Sequence, residues 1–167
     1  MIVFDASTLI LIAKVELLNV FLAHAGMKAV IPKEVEKECC AFKRTLDALL
    51  IQRALEESRI EVITVRNRRL VAQLQADFSL GKGEAEAISL AIGAKAQILG
   101  IDDKNGINAC KVLRLVFTTA IGILIRSCEK GLLESAEAVE KLKLLAKYGR
   151  YGDFLLEDAR QKLEMKS

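Results

Sequence analysis

Five acidic residues stand where chemistry could be done. The apolar run Ile2-Val3-Phe4 stops on Asp5, and Ser7 and Thr8 follow it. Far downstream, Ile98-Leu99-Gly100-Ile101 runs straight into Asp102-Asp103. Glu84 stands in the segment Gly83-Glu84-Ala85-Glu86-Ala87-Ile88, and Glu38 lies three residues after Val35. Carboxylates at the exits of buried strands suggest a metal-holding site. Two unit charges at 4 Å repel by about 4 kcal/mol at an effective dielectric of about 20. Several such pairs rival the ~5–15 kcal/mol that stabilises a whole domain. A cluster of this kind must bind cations or keep some acids protonated. With oxygen donors and no histidine or cysteine among them, Mg²⁺ or Mn²⁺ fits best. Such ions activate water and stabilise phosphoryl transition states.

Each acid also has a plainer reading. Asp5 could only cap the helix that follows, and one of Asp102 and Asp103 could cap the next. Glu84 and Glu86 both fall in the first turn of a helix, where the dipole favours negative charge. Glu84 shares a stripe with Ala87, Ile88 and Ala91, which turns it inward and leaves Glu86 to a solvated face. Glu38 lies at the border of a buried face, whereas Glu34 and Glu36 look exposed.

The elements that position these residues alternate strand and helix. Strands are expected at 2–5, 28–31, 60–65, 97–101 and 115–117. Helices are expected at 7–14, 16–24, from Pro32 onward with Val35, Cys39 and Phe42 inward, then to about Glu57, at 67–78, 84–94 and 105–113. Three more close the chain at 121–130, 135–147 (with Ser135 as its capped start) and 153–165. Strands that are apolar throughout argue for a parallel sheet covered on both faces. The expected fold is therefore three-layer α/β/α around a central parallel sheet of about five strands. Ligands of such sheets bind beyond the carboxyl ends of the strands, and Asp5, Asp102 and Asp103 fall at that edge.

Bulk properties narrow the classes. A chain of 167 residues suits one domain over 1–167, with 134–167 a helical extension. No linker, repeat or low-complexity run divides it. The apolar fraction is 52% but aromatics only 5%, so the core must be aliphatic. A net charge of +3 permits a polyanionic partner without demanding one. Cys39, Cys40, Cys110 and Cys128 form no CxxC pair, and the one histidine, His24, stands apart from them, which argues against zinc. Reduced cysteines acting as small apolar residues fit a cytoplasmic protein. The apolar stretch 2–13 is interrupted by Asp5 and too short to span a membrane.

At this level of detail the chain resembles the PIN domain family. The likeness rests on the strand ending in Asp5 with Ser7-Thr8, on Pro32 to Glu38, on Leu80-Gly81-Lys82-Gly83-Glu84-Ala85-Glu86-Ala87-Ile88, and on Ile98 to Lys104. The segment Ile121 to Leu124, with Lys130-Gly131-Leu132-Leu133, extends it to about residue 135. The branch it is most similar to lies near the toxin ribonucleases of toxin–antitoxin pairs. The resemblance implies a Mg²⁺- or Mn²⁺-dependent endoribonuclease. Asp5, Glu38, Glu84 and Asp103 would be its catalytic acids, with Asp102 joining Asp5, Glu84 and Asp103 as metal ligands. It also implies RNA as substrate, an antitoxin protein as partner and a homodimer. Two departures are visible: Gly106-Ile107 replaces a Gly-Arg, and Thr118-Thr119-Ala120 replaces a Gly-Thr.

Ser7 and the basic group Arg66, Arg68 and Arg69 are the candidates for RNA contact; Lys141, Lys143, Lys147 and Arg150 form a second basic group, and a solvated helix face is the default reading of both groups. Gly81-Lys82-Gly83 makes a poor dinucleotide fingerprint, because Glu86 stands where a third glycine belongs. A haloacid-dehalogenase-type phosphatase also puts acids after two strands, but Ser7 stands where its second acid should be. A PIN-like module that binds RNA or protein without cutting is the remaining alternative.

Overall fold

The computed structural model describes residues 1–41 and 43–165. Phe42, expected on the inner face of the third helix, lies outside the described residues. The elements in chain order are β1 (Ile2–Phe4), α1 (Ala6–Lys14), α2 (Leu18–His24), β2 (Ala29–Pro32), α3 (Lys33–Cys40), α4 (Leu46–Glu56), β3 (Ile60–Ile63) and α5 (Arg68–Phe78). They continue with α6 (Lys82–Gly93), β4 (Ile98–Gly100), α7 (Lys104–Val112), β5 (Phe117–Thr118), α8 (Ala120–Glu129), α9 (Ser135–Tyr148) and α10 (Asp153–Glu164).

The five strands form one all-parallel sheet in the order β3-β2-β1-β4-β5. Their side chains alternate between two cores. Ile2, Phe4, Ala29, Ile31 and Ile60 meet α1, α2, α4 and the closing helices on one face. Val3, Val30 and Leu99 meet α5, α6 and α7 on the other. Apolar residues on both faces are what a doubly covered parallel sheet requires, and they make the three-layer α/β/α arrangement. Residues 134–165 pack into the first core through Ala138, Leu142, Leu145, Ala159 and Leu163. Among the described residues no single helix is long and apolar enough to cross a membrane.

The chain winds from β1 outward through β2 to β3, then reverses to place β4 and β5 on the other side of β1. That reversal opens a crevice at the carboxyl ends of β1 and β4. Asp5 and Asp102-Asp103 leave the sheet there.

Several boundaries differ from the sequence reading: β3 ends at Ile63 rather than 65, α6 starts at Lys82 rather than 84, and β5 is Phe117–Thr118 rather than 115–117. Leu115 is not in the fifth strand, because its amide donates back to the Cys110 carbonyl at 2.9 Å as α7 unwinds through Arg114 at φ 56°. Ser135 does not cap α9. Glu134 is the cap residue, and the Ser135 hydroxyl donates to the Leu163 carbonyl at 2.6 Å, tying α9 to α10.

Gly100 pairs with Phe4 across β1 and β4. A Cβ there would stand 2.5 Å from Cδ1 of the fully buried Phe4 ring and 3.3 Å from the Thr8 methyl. Neither can retreat, and Thr8 is bonded to the site. Gly100→Ala is expected to destabilise the protein by about 1–3 kcal/mol, the usual range for overpacking. Urea unfolding of the purified variant measures it.

Candidate active site

Asp5 directly follows β1 and is the N-cap of α1. Its amide donates to the Gly100 carbonyl at 3.0 Å, which fixes it against β4. Its side chain is 1% exposed. Oδ1 accepts from the Thr8 amide at 3.1 Å, and the Ser7 hydroxyl donates to both carboxylate oxygens at 2.8 Å. Burial pushes its pKa up to about 8. The Thr8 and Ser7 hydrogen bonds oppose that rise, and the charges of Asp102 and Glu84 add to it.

The twin aspartates divide their work. Asp102 accepts from the Thr8 hydroxyl at 2.6 Å, the Ala120 amide at 2.8 Å and the Tyr151 hydroxyl at 2.5 Å, so both its oxygens are engaged. Its own amide donates to Ser7 Oγ at 3.1 Å. Its carboxyl is raised, first by burial, and these three donors work against that. Asp103 caps α7 through Oδ1, which accepts from Asn105 and Gly106 amides at 2.8 and 3.1 Å. Oδ2 of Asp103 has no donor among the described residues.

Glu84 lies in the first turn of α6. Its Oε2 accepts from the Gly81 amide at 3.1 Å, and its carboxyl is raised by burial and then by the Asp103 charge. Glu38 is exposed at the end of α3, yet its carboxyl rests on the α6 backbone at Gly83. It too is raised, by partial burial and then by Glu34. A Cβ on Gly83 would overlap Oε1 of Glu38.

Ser7, Glu84, Asp102 and Asp103 thus line one cleft of about 520 Å³. Asp5 lies beneath it, and Glu38 stands on the far side of Gly83. The couplings Asp5–Asp102, Asp5–Glu84, Glu84–Asp103 and Glu84–Glu38 make these acids one electrostatic unit.

Glu86 corrects the sequence reading. It is not solvated but 3% exposed. Arg68 donates to its Oε1 at 2.6 Å, and the Glu34 amide at the start of α3 donates to its Oε2 at 3.3 Å. The helix is buried on nearly every side from Ala85 to Ala91, so no solvent face exists for Glu86. Apolar residues on nearly every side of the helix, Ala85, Ala87, Ile88, Leu90 and Ala91, were the signal for this. Arg68 is correspondingly not free for RNA, since it also donates twice to the Val65 carbonyl. Arg66 and Arg69 are exposed beyond β3, two strands away from β1, and do not line the cleft. Ser7 spends its hydroxyl on Asp5 and the Asp102 amide, and it holds the acids together. In the C-terminal basic group, Lys141 donates to the Val15 carbonyl at 2.8 Å and Lys143 pairs with Glu140, whereas Arg150 lines the cleft. Thr8 and Tyr151 are site residues that sequence reasoning missed, because each meets Asp102 only through the fold.

Among the described residues, none of Asp5, Glu38, Glu84, Asp102 and Asp103 forms an ion pair with a lysine or arginine. Buried Glu86, by contrast, has its arginine. An all-oxygen set of unpaired carboxylates suits a hard divalent cation. Among the described residues no three acidic, histidine or cysteine side chains close around one point. An ion here would complete its shell with water, as Mg²⁺ commonly does. The four cysteines are free, and all but Cys40 are buried.

The raised acids fix the sign of the pH dependence. A carboxyl whose pKa is higher in the folded than in the unfolded chain stabilises the fold most below its unfolded value. For Asp5 that contribution declines from about pH 4 and is gone above about pH 8. In chelator, the melting temperature is expected to fall between pH 5 and pH 8. Asp5→Asn should flatten that fall, as differential scanning calorimetry at both pH values would measure.

Comparison with known proteins gives the family. A family model described as PIN domain matches residues 1–164 of the chain. No curated protein and no solved structure matches it. The five-stranded parallel sheet between helical layers is the corresponding nuclease-like fold. With the match running over nearly the whole sequence, the chain belongs to the PIN domain family.

Proposed function

We propose that the protein is a ribonuclease that uses Mg²⁺ or Mn²⁺ to hydrolyse RNA phosphodiester bonds. One observation carries this reading: the acids at the β1–β4 crevice are gathered and left without cations, while the buried acid beside them is paired. Asp103 Oδ2 and Glu84 Oε1 are carboxylate oxygens with no protein donor among the described residues, and with Asp5 they would hold the ion. When bound, the ion supplies an activated water and neutralises charge on the phosphate. Asp102 keeps Thr8, Ala120 and Tyr151 in place, which sets the cleft's shape and the position of Asp103 next to it. Glu38 is coupled to Glu84 across Gly83 and would take a proton beside the cleft. The family resemblance extends the proposal to a cytoplasmic homodimer restrained by an antitoxin protein.

The direct test is cleavage of single-stranded RNA by purified protein after chelation and Mn²⁺ titration. Cutting should require the ion, and Asp5→Asn and Glu84→Gln should each lower kcat by roughly 100-fold or more. Ion-dependent cutting that survives both changes would falsify the assignment. RNA binding with no cutting at any Mn²⁺ concentration would instead favour a non-catalytic module, the outcome that Ile107 in place of an arginine would help explain.

Gly83→Ala separates Glu38 from the fold. Alanine gains up to about 1 kcal/mol of helix propensity over glycine. The added methyl displaces only the end of a flexible side chain. The melting temperature should hold or rise while the cleavage rate drops to that of Glu38→Ala. Equal rates for wild type and Gly83→Ala would remove Glu38 from the reaction.

A further inference from the structure

Cations from three distant parts of the chain frame the acidic cleft. Lys14 ends α1, Lys104 starts α7, and Arg150 lies between α9 and α10. All three are exposed, and among the described residues none is engaged in an ion pair. They line the same cavity as Glu84, Asp102 and Asp103 without reaching salt-bridge distance, so they ring the acids rather than neutralise them. Tyr148 lines the cavity too. It is 44% exposed, and Lys14 Nζ lies 5.1 Å from its ring centroid.

The turn that carries Tyr148 and Arg150 is held at both ends. The Gly149 amide donates to the Leu145 carbonyl at 2.8 Å, and Leu142 and Leu145 are sunk in the core. On the other side, Tyr151 hydrogen-bonds Asp102 inside the site. Gly149 has no room for a Cβ, which would meet the Tyr151 ring and the Leu145 carbonyl oxygen. A half-exposed aromatic ring on a fixed turn, beside unpaired cations, is the chemistry that single-stranded nucleic acid recognises.

We infer that the α9–α10 turn is the strand-reading wall of the cleft, with Tyr148 as the platform for one unpaired base and Lys14, Lys104 and Arg150 as contacts to the phosphates around it. The inference rests on the nuclease reading for its purpose, but the binding it describes is separable from cutting. A base inside a duplex has both faces covered by its neighbours and cannot stack on Tyr148. The cleft is also far larger than one phosphate needs, about 520 Å³. The wall replaces the Arg66–Arg69 turn as the RNA contact, since that turn lies beyond β3.

Fluorescence anisotropy in chelator tests it, using the full chain, a ten-nucleotide single-stranded RNA and the same sequence as a duplex. Wild type should bind the single strand more tightly than the duplex. Tyr148→Ala should weaken single-strand binding about 10-fold, and Tyr148→Phe should restore it. Lys14→Gln with Arg150→Gln should lower the slope of log affinity against log salt by about 0.7 for each phosphate no longer neutralised. Arg66→Gln with Arg69→Gln should change neither. Circular dichroism of each variant checks folding. Equal binding of duplex, no effect of Tyr148→Ala, no binding of either RNA, or a greater weakening from the Arg66 and Arg69 changes would each overturn the inference. If these results hold while wild type with Mn²⁺ never cuts RNA, the ribonuclease reading fails and the strand-reading wall stands.

Discussion

Holding Asp5 at 1% exposure among neutral donors is unfavourable, and no ion pair among the described residues offsets it. The surrounding fold supplies partial relief through helix ends. Asp5 caps α1, Asp103 caps α7, Glu84 sits in the first turn of α6, and Asp102 accepts from the first residue of α8. Each N-terminus presents unsatisfied amides and the positive end of a dipole, worth about 0.3–1 kcal/mol to a nearby negative charge. Four such ends converge because α1, α7 and α8 follow the parallel strands β1, β4 and β5, with α6 packed across them. A parallel sheet puts every following helix start at the same edge. The acids therefore collect where the topology concentrates positive ends, and the charge that remains calls for a cation.

The succession of strands along the chain and the acids at their ends were legible in the sequence because both are local. An apolar run followed by an acid marks the end of a buried strand whatever the rest of the chain does. What was not legible is what the acids touch. Asp102 and Asp103 are adjacent and alike in sequence. In the fold, Asp102 is bound by Thr8, Ala120 and Tyr151, and Asp103 caps its own helix. Glu84 and Glu86 were told apart by helical stripe, but α6 is enclosed on nearly all sides, so the stripe could not separate buried from solvated. Basic residues misled for the same reason: Arg66, Arg68 and Arg69 cluster in sequence, while Lys14, Lys104 and Arg150 cluster only in space.

Arg68 and Glu86 show how a structural ion pair differs from a functional acid. Glu86 binds one cation and one helix amide, and it joins α6 to the start of α3. Glu34 adds a second link, accepting Lys82 at 2.9 Å. These contacts set the distance between the helix bearing Glu84 and the helix bearing Glu38. The 51% exposure of the Arg68 side chain limits what the pair adds to stability, because solvent screens it. Its larger effect is geometric, since removing Arg68 would leave a buried carboxylate without its cation two residues from Glu84.

The C-terminal helices give the fold a wall it would otherwise lack. Their buried residues Ala138, Leu142, Leu145, Ala159 and Leu163 belong to the same core as β1 and α1, so they cannot shift without disturbing the sheet. Tyr151 transmits that rigidity to Asp102, and its own hydroxyl is held protonated by burial and by the carboxylate it faces. The result is a chain of direct contacts from the α9 core residues through Gly149 and Tyr151 to the acid beside Asp103. A cleft built this way has one wall of acids fixed by helix starts and an opposite wall fixed by a hydrophobic core. Preorganisation of both walls before any ion or strand arrives is what lets small, unpaired side chains define a site.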